Sequence, residues 1–308
     1  MRRRPRPRAR CGTAVGRRGR RGPGGVVKPF RLSLCNEVIA ALPFDRQCAL
    51  AAALGYDGLE VAPFTFGDRP HLLDAAIRRG IVDAAKAEGI RVSGLHWLLV
   101  RPSGLSITSD DATVRAATID VMRRLVGLCA ELGGDVLVHG SPAQRRLPEG
   151  PGAAAARARA VDALAAAGEE AARAGVVYCL EPLAPPDANF VNDVAEAAAI
   201  VRAVGNPALR TMIDCSAAGA AETEPVAALI DRWLPTGLVA HVQVNDRNRR
   251  GPGQGEERFA PILAALQRQR YAGWIAVEPF DYVPDGPGAA ARAAGYLRGI
   301  EETLAWRS

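Results

Sequence analysis

From Phe30 onward the sequence alternates a short β-rich run with a longer helical stretch, eight times over, and few architectures accommodate that alternation. Strands joined through helices run parallel, because each helix carries the chain back to the edge where the next strand must start. The pattern predicts strands over Arg31–Cys35, Gly58–Val61, Arg91–His96, Asp135–His139, Val176–Glu181, Arg210–Asp214, Leu238–Val244 and Trp274–Glu278. Helices are expected near Asp45–Leu54, His71–Glu88, Asp110–Leu132, Gly152–Ala174, Asp193–Val204, Glu224–Trp233, Phe259–Arg268 and Gly288–Ala305. Eight such units either close into a (β/α)8 barrel or form an open doubly wound sheet. A nucleotide-binding open sheet would carry a Gly-rich turn after its first strand, and Cys35-Asn36-Glu37-Val38 stands there instead, so the closed barrel is the expectation.

Composition sets the limits of that reading. A chain of 308 residues exceeds the roughly 250 residues of one such barrel, so a single domain over residues 29–308 with an N-terminal tail over residues 1–28 is expected. The formal charge of +6 suggests a polyanion partner only until the arginines are located, because ten of them lie within the first 21 residues and leave a body near −4. The tail has Arg, Pro and Gly in place of apolar periodicity and is expected to be disordered. Its candidate roles are a basic arm, a targeting segment or sequence upstream of the true start. Twin arginines without a following apolar stretch do not make an export signal.

Nucleic acid is therefore not the expected partner, and neither is a membrane, since no apolar run approaches the ~20 residues of a span. Cys11, Cys35, Cys48, Cys129, Cys179 and Cys215 form no CxxC pair and sit mostly in apolar runs, as reduced core cysteines of a cytoplasmic enzyme do.

In a barrel of this kind the active site lies at the C-terminal ends of the strands, so polar residues that close an apolar run are the candidates. Glu181, Asp214, Gln243 and Glu278 close the fifth to eighth strands, separated by steps of 33, 29 and 35 residues, each about one βα unit. A lone glutamate at a strand end is ordinarily solvated or salt-bridged; four in succession form a pattern. Three carboxylates in one barrel mouth repel one another at neutral pH unless a cation sits among them. Oxygen donors from three carboxylates and one amide suit one divalent metal ion, Mn²⁺ or Mg²⁺, with Co²⁺ as an alternative.

Three stretches carry a resemblance: Leu180-Glu181-Pro182-Leu183, the run from His241 to Asn248 followed by Gly251-Pro252-Gly253-Gln254-Gly255, and Trp274-Ile275-Ala276-Val277-Glu278-Pro279-Phe280. From about Phe30 to the C-terminus the chain resembles the sugar phosphate isomerase/epimerase family, the xylose isomerase-like TIM barrels that include ketose 3-epimerases and hydroxypyruvate isomerase. The resemblance implies that Glu181 and Glu278 are metal-bound acid/base catalysts on opposite faces of the substrate, with Asp214 and Gln243 as ligands only. It places His241 and Arg249 at substrate oxygens and Asp187 as a supporting carboxylate. Two departures bear on the substrate: the ketose 3-epimerases usually carry His where Gln243 stands, as hydroxypyruvate isomerase does not, and often a substrate-binding His where Ala217 stands.

The function that follows is isomerisation or epimerisation of a small sugar or keto-sugar by proton transfer through an enediolate on the metal, with a keto-acid also within reach. The first half of the chain is expected to shape the pocket through Glu60, His96, Trp97 and His139, with Gln144 and Arg145 either binding a polar substrate group or forming a solvated loop. A lyase of the inosose or dehydroshikimate dehydratase type uses the same proton abstraction, and a non-catalytic sugar-binding barrel would need neither glutamate. An endonuclease-IV-like trinuclear site is disfavoured by only four histidines, His71, His96, His139 and His241. A homo-oligomer, dimer or tetramer, is compatible with this reading.

Overall fold

The computed structural model describes residues 30–305, so the tail expected to be disordered lies outside the described residues, as do the chain's last three residues and Cys11. Eight parallel strands, β1 (Arg31–Cys35), β2 (Gly58–Val61), β3 (Arg91–Leu95), β4 (Val136–His139), β5 (Val177–Leu180), β6 (Leu209–Asp214), β7 (Val239–Val244) and β8 (Trp274–Val277), pair in chain order. β8 returns to β1, with Leu34 opposite Val277, and closes the barrel. The outer layer consists of α1 (Phe44–Ala53), α2 (Ala75–Ala87), α3 (Ala112–Glu131), α4 (Ala153–Ala174), α5 (Val194–Val204), α6 (Cys215–Ala221), α7 (Val226–Trp233), α8 (Phe259–Arg268) and α9 (Gly286–Ala305).

Side chains alternate across each strand, which divides the core in two. Leu32, Leu34, Leu59, Leu137, Tyr178, Ile213, Val242 and Ile275 point outward and pack under the helices. Val136, Val138, Cys179 and Met212 form a separate apolar cluster inside the barrel, and Ser33 and Ser93 share a buried 2.6 Å hydrogen bond. α4 shows how an alanine-rich sequence serves such a shell. Ala156, Ala160, Ala163, Leu164, Ala167 and Ala171 recur at helical spacing and are buried, and the absence of a side chain at Gly168 lets the helix approach β6, where a Cβ would stand 3.0 Å from that of Leu209.

Three boundaries differ from the sequence expectation for a capping reason. α2 starts at Ala75 rather than near His71, because the Asp74 carboxylate accepts from Ile77 N at 2.8 Å and fixes the first turn, with a separate 3-10 turn over Pro70–Leu72. Asp111 does the same for α3, accepting from Thr113 N at 2.7 Å. The short α6, not anticipated, begins because Asp214 at the end of β6 accepts from Ala217 N at 2.7 Å. Among the described residues no helix is long and apolar enough to cross a membrane, and Cys35, Cys48, Cys129, Cys179 and Cys215 are buried and unbridged.

Candidate active site

β5 and β8 stop one residue short of the expected ends, so Glu181 and Glu278 stand just beyond the last paired residues. Each keeps a backbone bond to its neighbouring strand, Glu181 N to His139 O at 3.2 Å and Glu278 N to Val244 O at 3.3 Å, so the ladder still aims both side chains inward. Asp214 is the last residue of β6 and lies opposite Gln243 on β7. Carboxylate oxygens of Glu181, Asp214 and Glu278 lie within 4.8 Å of one another, all three residues buried.

Neighbouring side chains hold these groups in place. His96, just after β3, lies 2.9 Å from Glu278 Oε1 through Nδ1 and 2.9 Å from Glu37 Oε2 through Nε2, bridging two carboxylates. Asn245 Nδ2 donates to Asp214 Oδ2 at 2.8 Å and to Glu278 O at 3.0 Å. Arg145 is fully buried behind the fifth strand and donates through Nη1 to Glu181 O at 2.6 Å. Gly140 gives the Glu181 carboxylate its space, since a Cβ there would occupy the position of Oε2.

One layer deeper, Gln243 Nε2 donates to Glu60 Oε1 at 2.8 Å, and His241 Nε2 stands 2.7 Å from Glu60 Oε2 as an ion-pair contact. Burial pushes the Glu60 carboxyl up, but the facing His241 outweighs it and leaves the group below its usual range.

A cavity of about 540 Å³ opens above the carboxylates. Its walls include Leu183, Ala184, Ala217, Trp97, Phe280 and, at the rim, Arg249. Trp97 meets Phe280 edge-on at 6.4 Å, and the Arg249 guanidinium lies 4.9 Å over the Phe280 ring and 3.8 Å from Asp187. Trp97 and Arg249 both hold positive φ, 51° and 69°, a conformation that costs a non-glycine residue energy and tends to collect at functional sites.

The expected site residues thus divide. Glu181, Asp214, Glu278, His96, Asp187 and Arg249 line the cavity. Gln243, Glu60 and His241 form the layer beneath, where they engage one another, and none of the three borders the cavity. His139 belongs elsewhere: inward-facing positions of β4 are Val136 and Val138, so His139 points to the helices and pairs with Tyr178 Oη at 2.8 Å. Burial, with Arg145 nearby, pushes its pKa down to about 3 and keeps it neutral. Arg145 is a buried support rather than part of a solvated loop. Glu37, Asn245 and Phe280 carry site contacts that the sequence reading did not assign; the polar Asn36-Glu37 pair closing the first strand was the available signal for Glu37.

The electrostatics are those of an anionic trap. Burial, then Glu278 and Asp214, push the Glu181 carboxyl well above its usual range. Burial lifts Asp214 to about 6 against the hydrogen bonds of its cap, and lifts Glu278 to about 8 against the hydrogen bond from His96. Burial alone would strip His96 of its proton, yet Glu37 and Glu278 hold its pKa well above the usual value. Glu278 Oε2 and Gln243 Oε1 are buried with no partner. Three converging carboxylates and an orphaned amide oxygen are a hard-cation donor set, so the residues present fit a divalent ion.

Residues 48–300 match the family described as the xylose isomerase-like TIM barrel. The chain is 28% identical over 234 residues to the D-psicose 3-epimerase of Agrobacterium fabrum, covering 74% of this chain and 76% of that one. It is 25% identical over 240 residues to the L-ribulose 3-epimerase of Mesorhizobium japonicum, covering 77% and 75%. A solved D-psicose 3-epimerase, crystallised in the presence of D-fructose, has the same fold, with a TM-score of 0.74 at 22% identity over 88% of this chain and 99% of that one. Fold and relatives together define an enzyme of the isomerase and epimerase class. Within that class the chain belongs to the xylose isomerase-like TIM barrel family.

Proposed function

We propose that the protein is a divalent-metal-dependent epimerase of ketoses or related keto-sugars, with Glu181 and Glu278 as its two proton-transfer groups. The observation that carries this reading is the convergence of Glu181, Asp214 and Glu278 within 4.8 Å on the floor of one cavity. The names of the relatives, D-psicose 3-epimerase and L-ribulose 3-epimerase, support the substrate class. Glu181, Asp214, Gln243 and Glu278 would hold the ion, Mn²⁺ or Mg²⁺ with Co²⁺ as an alternative, and its charge would stabilise the negative charge developing on substrate oxygens as the carbon-bound proton leaves.

The chain's own groups supply the rest. His96 occupies Glu278 Oε1, so Oε2, buried and unpartnered, is the atom that takes or returns a proton. The Glu181 carboxylate accepts no hydrogen bond among the described residues, and Arg145 anchors its backbone instead. Proton removal by one glutamate and return by the other to the opposite face of the same carbon inverts that centre; return to the neighbouring carbon isomerises the sugar. Asp187 and Arg249 at the rim meet sugar hydroxyls, while Trp97 and Phe280 wall off water.

The test is deuterium exchange. Mn²⁺-loaded protein incubated with D-fructose, D-psicose or L-ribulose in D₂O should place deuterium at the carbon next to the carbonyl, read by NMR, and Glu181→Gln should lose the interconversion of the two epimers. Absence of exchange with every ketose in protein that binds Mn²⁺ overturns the ketose assignment.

A further inference from the structure

A carboxamide ligates a hard cation only through its oxygen, so a glutamine in a metal site must be prevented from turning its NH₂ end inward. At Gln243 the structure shows what prevents it. Nε2 donates to Glu60 Oε1 at 2.8 Å beneath the site, while Oε1, the other end of the same planar group, is buried and without a partner. Gln243 lies opposite Asp214 in the sheet register and opposite Ala276, two residues before Glu278, on its other side. A carboxylate only accepts, so reversing the amide would set Oε1 against Glu60 oxygens. Glu60 is itself fully buried, and His241 Nε2 at 2.7 Å from its other oxygen holds it from below.

We propose that Glu60 is a positioning residue that locks the Gln243 carboxamide with its oxygen toward the ion site, and that His241 acts one step further back by holding Glu60. This inference rests on the metal-site reading above and deepens it. It gives a role to two residues that do not border the cavity, and a reason why an amide can serve as a ligand in this chain.

The experiment is a calorimetric Mn²⁺ titration of metal-stripped protein arranged as a double-mutant cycle. Glu60→Leu should weaken binding about 10- to 100-fold, the range typical of groups that orient a ligand. In a Gln243→Ala background, where no amide remains to be oriented, the same substitution should change affinity by no more than about twofold. Should Glu60→Leu fail to fold, Glu60→Gln replaces it: its own amide can meet Gln243 with either end, so a loss of about 3- to 10-fold is expected, again absent in the Gln243→Ala background. An effect undiminished by Gln243→Ala means that Glu60 supports the site generally and overturns the inference, as does unchanged affinity in either Glu60 variant. Wild type that binds no Mn²⁺ removes the metal-site reading and this inference together, an outcome distinct from wild-type binding with indifferent Glu60 variants.

Discussion

The two ends of this barrel treat charge in opposite ways. At the N-terminal end of the strands Asp135 accepts from Trp274 Nε1 at 2.8 Å, Arg91 Nη2 at 3.2 Å and Arg31 Nη1 at 3.4 Å. The Arg31 guanidinium also lies 4.6 Å over the Trp274 ring. Opposite charges are matched there and remain half exposed, so water and partners together satisfy them. At the C-terminal end three carboxyl groups are buried against one another, with His96 beside Glu278, Arg145 bonded to the Glu181 backbone oxygen and Arg249 acting on Asp214 from the rim. The base is arranged for stability, and the mouth holds an electrostatic strain that a cation would relieve.

Breaking the mouth should show the largest effects. Glu181→Gln and Glu278→Gln should each lower turnover about 10³- to 10⁴-fold, while the unfolding midpoint of the metal-free protein stays level or rises as like-charge repulsion is lost. Unaltered turnover in either variant would sink the two-glutamate scheme. Asp214→Asn should weaken Mn²⁺ binding at least about 100-fold by calorimetry, and because asparagine caps a helix as well as aspartate, α6 and the unfolding midpoint should persist.

Acidity separates the two ends by a smaller margin. Glu278 titrates at about 8 and Asp214 at about 6 in the native protein, both raised, so between the ordinary carboxylate range and pH 8 the native state keeps protons that the unfolded chain has released. These groups therefore contribute stability to the metal-free protein that is present near pH 4 and is lost as pH rises through about 6 and then about 8. Denaturant melts at pH 5.5 and pH 8.5 should differ by on the order of a few kcal/mol in favour of the lower pH; saturating Mn²⁺ should reduce the difference. Equal stability at both values would remove the strain from the mouth.

The smallest change belongs to the base. Asp135→Ala should cost about 1–3 kcal/mol of stability by leaving the Trp274 N–H without its acceptor, with Mn²⁺ affinity unchanged to within about twofold. A loss of metal affinity there would show that the two ends are coupled.

The fold was legible because its information is local. Each strand and helix writes its own period, and glycines at helix ends, such as Gly175 with φ of 72°, punctuate them. The strand-end positions of Glu181, Asp214, Gln243 and Glu278 were legible because position along a strand is also a local property. His139 was misplaced by one residue of register, since the period of two turns a strand-end residue either into the mouth or against the helices, and the apolar residues of β4 do not say which. Glu37 went unassigned because its partner His96 lies 59 residues away, and His96 reaches Glu278 across 182.

By itself, then, the sequence determined eight parallel βα units and which side chains end the strands, because backbone periodicity and strand order follow from short-range chemistry. Which strand-end residues meet one another, which sink into the supporting layer with Glu60 and His241, and how far each carboxyl is raised were decided by tertiary structure alone. Barrel closure fixes distances between residues far apart in the chain, and burial, charge and hydrogen bonding act through those distances.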